Sequence, residues 1–131
     1  MEDCIFCKII KGDIPSKTIY EDDKVKCNMD INPVANGHIL VVPKKHTKDI
    51  YSVDNETLIY MMDIIRNKIT PILKEKLKID GLTIIQNNGY GQEVKHLHIH
   101  LIPRYKDDGF KSEYIKENIK DTDEIYKELN N

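Results

Sequence analysis

In the run of residues 96–102, His-Leu-His-Ile-His-Leu-Ile, polar and apolar residues alternate as far as Leu101, and a period of two predicts a β-strand over 96–103. Side chains at alternate positions share a face, so His96, His98 and His100 line up at roughly 7 Å intervals. Leu97, Ile99 and Leu101 take the opposite, core-facing side. A shorter apolar run predicts a strand over 38–43, and two more strands, 19–21 and 25–29, flank an Asp22-Asp23 turn. Residues 33–37 read as a loop. Leu58, Met61, Met62, Ile65, Ile69, Ile72 and Leu73 recur at steps of three and four. That spacing predicts one long helix over 55–77 with Asp54 as its cap, both methionines in the core, and a bend at Pro71. Asp3 is placed to cap a short helix over 4–11 that Gly12 ends. A fifth strand is expected over 82–86, joined to the histidine strand by the polar segment 87–95. Ile125 and Leu129 suggest a last amphipathic helix in a charged stretch. The sum is an α+β fold: an antiparallel sheet of about five strands, one long helix, and short terminal helices.

Bulk properties narrow the class. With 131 residues the chain fits one domain, divided into a main part, 1–105, and a charged extension, 106–131, within the same domain. The formal net charge of −2 argues against general nucleic-acid binding, which needs a basic field. A small anionic ligand needs only local positive charge. No run is long and apolar enough to span a membrane, and Met1-Glu2-Asp3 does not open a secretion signal. The expected location is the cytoplasm, where three cysteines are thiols or metal ligands. Cys27, inside a strand, reads as a small core residue.

A histidine face opposite a core face points to chemistry. Neutral imidazole can attack phosphorus and hold the phosphoryl group, splitting one displacement into two. A neighbouring imidazole can donate to the non-bridging oxygens, where charge spreads in the transition state. The preceding run Asn87-Asn88-Gly89-Tyr90-Gly91-Gln92 offers amide donors and closely approachable backbone, although such a loop also occurs in ordinary hairpins. Cys4 and Cys7, three apart on a helix, form half of a tetrahedral zinc site; two buried thiols or a redox pair are the alternatives. A catalytic zinc on His96, His98 and His100 is a rival, but three ligands from one strand strain a tetrahedron.

The run His96-Leu97-His98-Ile99-His100-Leu101-Ile102 resembles the signature of the histidine triad family. Cys4-Ile5-Phe6-Cys7-Lys8-Ile9-Ile10, Asp30-Ile31-Asn32-Pro33, Gly37-His38 and Pro43-Lys44-Lys45-His46 resemble its earlier segments. Asn87, Gly91-Gln92-Glu93-Val94 and Pro103-Arg104 frame the triad as they do there. The resemblance implies a nucleotidyl hydrolase or transferase acting at the α-phosphorus of a purine nucleotide, with a P–N or P–O–P bond cleaved. His98 would be the nucleophile and form a nucleotidyl-histidine. His100, Gln92 and Asn87 would contact the phosphate, beside Gly91 and Glu93. Asp30 would accept the ribose hydroxyls. Ile5, Phe6, Ile9 and Ile31 would wall the base, although by residue type alone they read as plain core. His38 would be a buried supporting histidine. Cys4, Cys7, His46 and His96 would hold a structural zinc.

The chain also departs from that pattern. Glu93 stands where relatives carry a serine able to protonate the leaving group, the loop around Gly89 and Gly91 is shorter, and Asn28 replaces an aromatic residue beside the base. The leaving group and the choice of adenine or guanine are thereby left open. The resemblance further implies a two-fold homodimer through the long helix and strand 82–86. Alternatives in other classes are a nucleotide-binding regulatory module with little turnover and a metal-binding domain.

Overall fold

A computed structural model describes residues 3–111 and 114–131; Met1, Glu2, Ser112 and Glu113, parts of the acidic start and of the extension, lie outside the described residues. Helix α1 spans Ile5–Lys11. The strands are β1 Thr18–Glu21, β2 Val25–Met29, β3 Ile39–Pro43, β4 Gly81–Ile85 and β5 Ile99–Arg104. They form one sheet in the order β1-β2-β3-β5-β4, and every neighbouring pair is antiparallel. Between β3 and β4 the chain runs through helix α2, Asn55–Ile64, a π-helical turn, Ile65–Ile69, and helix α3, Thr70–Leu77. A 3-10 turn, Lys116–Asn118, and helix α4, Thr122–Leu129, lie in the extension, whose residues from 114 on are all exposed. The α+β architecture read from the pattern is the one observed.

The sheet has two unequal faces, and this positions the site. Ile39 and Val41 of β3 join Leu97, Ile99 and Leu101 in the main core, against Met61, Ile64, Ile65, Ile69 and Leu73 of the long helix. Leu40 and Val42 point the other way, onto Phe6 of α1. β3 is apolar throughout because both of its faces are covered. Leu40 pairs with His100 across the ladder, so the histidine face of β5 shares the side that α1 only partly covers.

Four local expectations need correction. The strand expected from His96 starts at Ile99. Pro43, which lacks an N–H, stands where the β3–β5 ladder would continue, and Leu97 N–H donates to Thr47 O at 2.7 Å instead. The cap of α1 is Cys4, not Asp3: its Sγ accepts from Cys7 N–H at 3.2 Å. Met61 is buried, but Met62 is 42% exposed. The long helix does not simply bend at Pro71. A residue set repeating every four overshoots a full α-turn by about 40° per step. The wide turn at Ile65–Ile69 takes up that drift and keeps both isoleucines buried. It also falls where the Pro71 ring would meet the preceding turn, and the Ile65 carbonyl accepts both from Thr70 N–H and from Thr70 Oγ1, the latter at 2.6 Å.

Asp22 ties the β1–β2 turn to α2. Its carboxylate accepts from Lys24 N–H at 2.8 Å, Val25 N–H at 2.9 Å, and the hydroxyls of Tyr20 and Tyr60. Burial alone would raise its pKa, but these donors, Tyr60 foremost, hold it at about 2, below the ordinary 3.8. The group therefore contributes stability above about pH 4 that is lost as pH falls toward 2. Asp22→Asn should cost about 2 kcal/mol at neutral pH. Thermal melts should show the gap to wild type closing near pH 2. A gap that stayed constant with pH would assign the loss to packing and not to the charge.

Candidate active site and metal centre

Two clusters meet on the sheet face under α1. In the first, Cys4, Cys7, His46 and His96 bring four ligand atoms within 4.8 Å of one another. Cys4 Sγ lies 3.2 Å from His96 Nδ1, and Cys7 Sγ lies 3.2 Å from His46 Nδ1 and 3.6 Å from His96 Nδ1. Tetrahedral zinc, with Zn–S near ~2.3 Å and Zn–N near ~2.0 Å, requires S–N edges of about 3.5 Å. The donor set and spacing fit that ion. The tautomer fits too. His96 Nε2 donates to Pro43 O at 2.8 Å, which leaves the Nδ1 lone pair facing the sulfurs. Burial keeps His96 below its ordinary pKa, as a ligand must be neutral. Without a cation, burial and the adjacent Cys4 push the Cys7 thiol up to about 11.

The second cluster is the triad proper. His98 Nδ1 donates to the His96 carbonyl at 2.7 Å, so a neutral His98 carries its lone pair on Nε2. Its ring stands edge-on to Phe6 at 4.9 Å and to His100 at 5.0 Å between centroids. His100 is oriented by a relay. Val34 N–H donates to His38 Nδ1 at 3.2 Å, which places the His38 proton on Nε2. That proton faces His100 Nδ1 at 2.9 Å, with Asp30 Oδ2 at 3.4 Å. His100 therefore keeps its own proton on Nε2, free to donate. Burial lowers the pKa of His38, while the nearby Asp30 carboxylate opposes that shift. Burial, then the neighbouring His98 and His38, likewise lower His100, while Asp30 and Glu93 oppose. Asp30, His38 and His100 also converge within 4.8 Å, the two histidines joined by a hydrogen bond and the Asp30 carboxylate 3.4 Å from His38 and 3.9 Å from His100. Among the described residues His96, His98 and His100 form no such group, which removes support for a catalytic metal on the three.

The remaining candidates divide. Gln92 is buried, and both ends of its amide hold loops: Nε2 donates to Lys48 O at 2.7 Å and Oε1 accepts from Gly89 N–H at 3.2 Å. One amide hydrogen is left for a ligand. Asn87 is half-buried, Gly91 has φ +98° and Glu93 is exposed on the same loop. Of the four base-wall candidates, Phe6 is buried and Ile9 packs beside it, but Ile5 is 42% and Ile31 87% exposed. The core reading fails for those two, and an exposed apolar rim is what a base-binding edge requires. Asn28 is buried and turned toward the β1 edge, its Oδ1 accepting from Ser16 and Thr18 hydroxyls at 3.1 and 3.2 Å. Sequence reasoning missed the carbonyls of His96, Pro43 and Lys48, which set the tautomers and the loop. Backbone groups leave no residue-type signal.

Comparison with known proteins agrees with this geometry. The family model described as HIT domain matches residues 11–107. An uncharacterized HIT-like protein of Methanocaldococcus jannaschii is 45% identical over 128 residues, 96% of this chain and 98% of its own. An adenosine 5′-monophosphoramidase of Candida albicans is 39% identical over 107 residues, 77% of this chain and 70% of its own. The crystal structure of a zinc-bound histidine triad family protein from Mycobacterium smegmatis is similar, with TM-score 0.78 and 35% identity over 88% of this chain and 85% of that one. The chain belongs to the histidine triad (HIT) family.

Proposed function

We propose that the protein is a nucleotidyl hydrolase working through a nucleotidyl-His98 intermediate at the α-phosphorus of a purine nucleotide. The observation that carries this reading is the pair of opposed tautomers. His98 is locked with a lone pair on Nε2 and His100 with a proton on Nε2. In the first step the His98 Nε2–P bond forms and the P–N or P–O bond to the leaving group breaks. An amine leaves having taken up a proton from solvent; a phosphate leaves as an anion. In the second step water adds hydroxide to phosphorus, its proton is released, and the His98–P bond breaks. The His100 Nε2–H, the free Gln92 amide hydrogen, Asn87 and the Gly91 backbone serve the phosphate oxygens. Asp30 takes the ribose hydroxyls, and Ile5, Phe6, Ile9 and Ile31 take the base. Support for the reaction class comes from the similar Candida albicans protein, named an adenosine 5′-monophosphoramidase.

Rapid-quench mixing with radiolabelled adenosine 5′-phosphoramidate tests this reading. A burst of protein-bound label equal to the site concentration is expected. Tight nucleotide binding with no label and no turnover would favour the regulatory-module alternative.

Cys4, Cys7, His46 and His96 are assigned to one structural zinc per chain. When bound, the ion supplies a cross-link and no chemistry, because four protein ligands close its coordination. Residues 1–105 are taken as the triad domain, in line with a family match ending at residue 107, and 106–131 as its extension. The proposed setting is the cytoplasm; among the described residues no helix is long and apolar enough to cross a membrane.

Homodimerisation is proposed through α2 and β4. Ile59 is 69% exposed, Met62 42% and Ile84 46%, on the long helix and on the edge strand. Such a surface suits a self-complementary two-fold contact. Sedimentation at micromolar concentration should give a particle of twice the 15.3 kDa chain mass. A particle of monomer mass would refute the interface.

A further inference from the structure

The cluster of Cys4, Cys7, His46 and His96 is open on one side. A cavity of about 670 Å³ has Cys4 and His46 in its wall, beside Asp3, Glu93 and Lys95. Cys7 lies behind Cys4, off that wall, yet both thiols are only half-buried and their sulfurs lie within 4.8 Å of each other. The third thiol, Cys27, is fully buried in the main core. A small polar molecule entering the cavity therefore meets Cys4 first, and the thiol within reach of Cys4 is that of Cys7. The pair also shares one helix turn. Cys4 is the N-cap of α1, and its Sγ accepts from Cys7 N–H at 3.2 Å. Cys-x-x-Cys at a helix start is a spacing that a disulfide can close.

The seat of α1 is thin. Phe6 is its one buried residue, packed with Leu40 and Val42. Phe6 is also what touches the triad, its ring 5.9 Å from His96 and 4.9 Å from His98 between centroids. The rest of the hold is the ligand cluster, which ties Cys4 and Cys7 of this helix to His46 and His96. Without the two sulfurs only the histidines remain, two ligands where zinc needs four. We propose that Cys4 and Cys7 form a redox modification site, at which a peroxide converts the two zinc-bound thiolates to a disulfide, releasing the ion and loosening α1 from the triad. This rests on the zinc assignment above. The Cys4 thiolate attacks one peroxide oxygen, the O–O bond breaks, hydroxide leaves, and Cys4 becomes a sulfenic acid. The Cys7 thiolate then attacks the Cys4 sulfur; the S–S bond forms, the S–O bond breaks, and a second hydroxide leaves. The two sulfurs give up two electrons, and with two protons from solvent hydrogen peroxide ends as two waters. In a reducing compartment such a disulfide is transient, which suits a sensor and not a permanent cross-link.

The test treats the full, zinc-loaded chain with hydrogen peroxide. It reads zinc released to a chromogenic chelator, disulfide by mass spectrometry after alkylation, amide hydrogen exchange in α1, and affinity for AMP. One zinc and one Cys4–Cys7 disulfide per chain should appear together, while Cys27 stays alkylatable once the chain is unfolded. Exchange in α1 should rise, and AMP should bind about 10-fold more weakly as Ile5 and Phe6 cease to wall the base. Dithiothreitol with added zinc should reverse every change. Cys7→His keeps four ligands but removes the second thiol, so it should retain zinc at peroxide levels that empty wild type. Should that variant fail to fold, the wild-type stoichiometry decides. Zinc retained by wild type with both thiols alkylatable would overturn the proposal. So would oxidation spread equally to Cys27, or zinc release that leaves α1 exchange unchanged. If AMP binds neither form, the hydrolase reading fails, and zinc, disulfide and exchange still decide this one. Protein purified without chelator that carries no zinc would sink the zinc assignment and this inference with it.

Discussion

His98→Ala should lower turnover by about 10⁴-fold or more, while nucleotide affinity changes far less. The size follows from the way the site is built. No other imidazole can take over the attack. His96 Nδ1 faces the two cysteine sulfurs and its Nε2 donates to Pro43 O. His100 Nδ1 is held by His38, which leaves a proton and not a lone pair on Nε2. Removing the nucleophile therefore strands the donors around the phosphate, and groups that act as a unit lose their effect together. In the proposed site Ile31, Ile9 and Asp30 would remain to hold the nucleoside. The check is a kcat measurement beside nucleotide titration, with the labelled-protein burst lost in the variant. More than a tenth of wild-type kcat surviving in His98→Ala would rule out the covalent route. His100→Ala should be milder, about 10²-fold, because it removes one donor to the developing charge.

Stripping zinc, or replacing Cys4 or Cys7 by serine, should lower the melting temperature by about 10 °C or more. Structural zinc sites contribute up to about 10–16 kcal/mol in small fingers that have no other core. Here the sheet and long helix already form a core, so a few kcal/mol is the expected loss, enough for such a shift in a domain of this size. The loss should be local first. Cys4 caps α1, and α1 carries Phe6 onto the His96 and His98 rings. Nucleotide binding should therefore weaken along with the melting temperature, while the core of β2, β3 and β5 persists. Metal analysis of protein purified without chelator should give about one zinc per chain. That zinc should vanish in Cys4→Ser and Cys7→Ser and stay in His98→Ala. Its loss in His98→Ala would move the metal onto the triad and exclude the mechanism proposed here.

Much of the site was legible before any coordinates because it lies on one strand-like run. The alternation at 96–102 correctly sends Leu97, Ile99 and Leu101 into the main core and brings the rings of His98 and His100 together on the other face. The cap at Asp54 and the apolar spacing located the start and buried face of the long helix. Errors arose where a distant backbone group competes with a local preference. Cys4 displaced Asp3 as cap. Pro43 on β3 ended the ladder that would have included His96 and His98, and Thr47 supplied the partner for Leu97.

Residue type and periodicity alone determined the fold class, the two faces of the histidine segment, and the half-site of Cys4 and Cys7. These depend on neighbours a few residues apart, whose relative directions the backbone geometry sets. Only the tertiary structure decided which nitrogen of each imidazole is free. His96 reads its tautomer from Pro43, 53 positions away, and His100 from His38, 62 positions away. The Cys4–His96 contact spans 92 positions. Whether an isoleucine is core or rim was likewise settled by packing, with Ile5 and Ile31 exposed against their type. Hydrogen-bond direction and burial are properties of the partner as much as of the residue, and the partners here are brought together only when the sheet closes around β3 and β5.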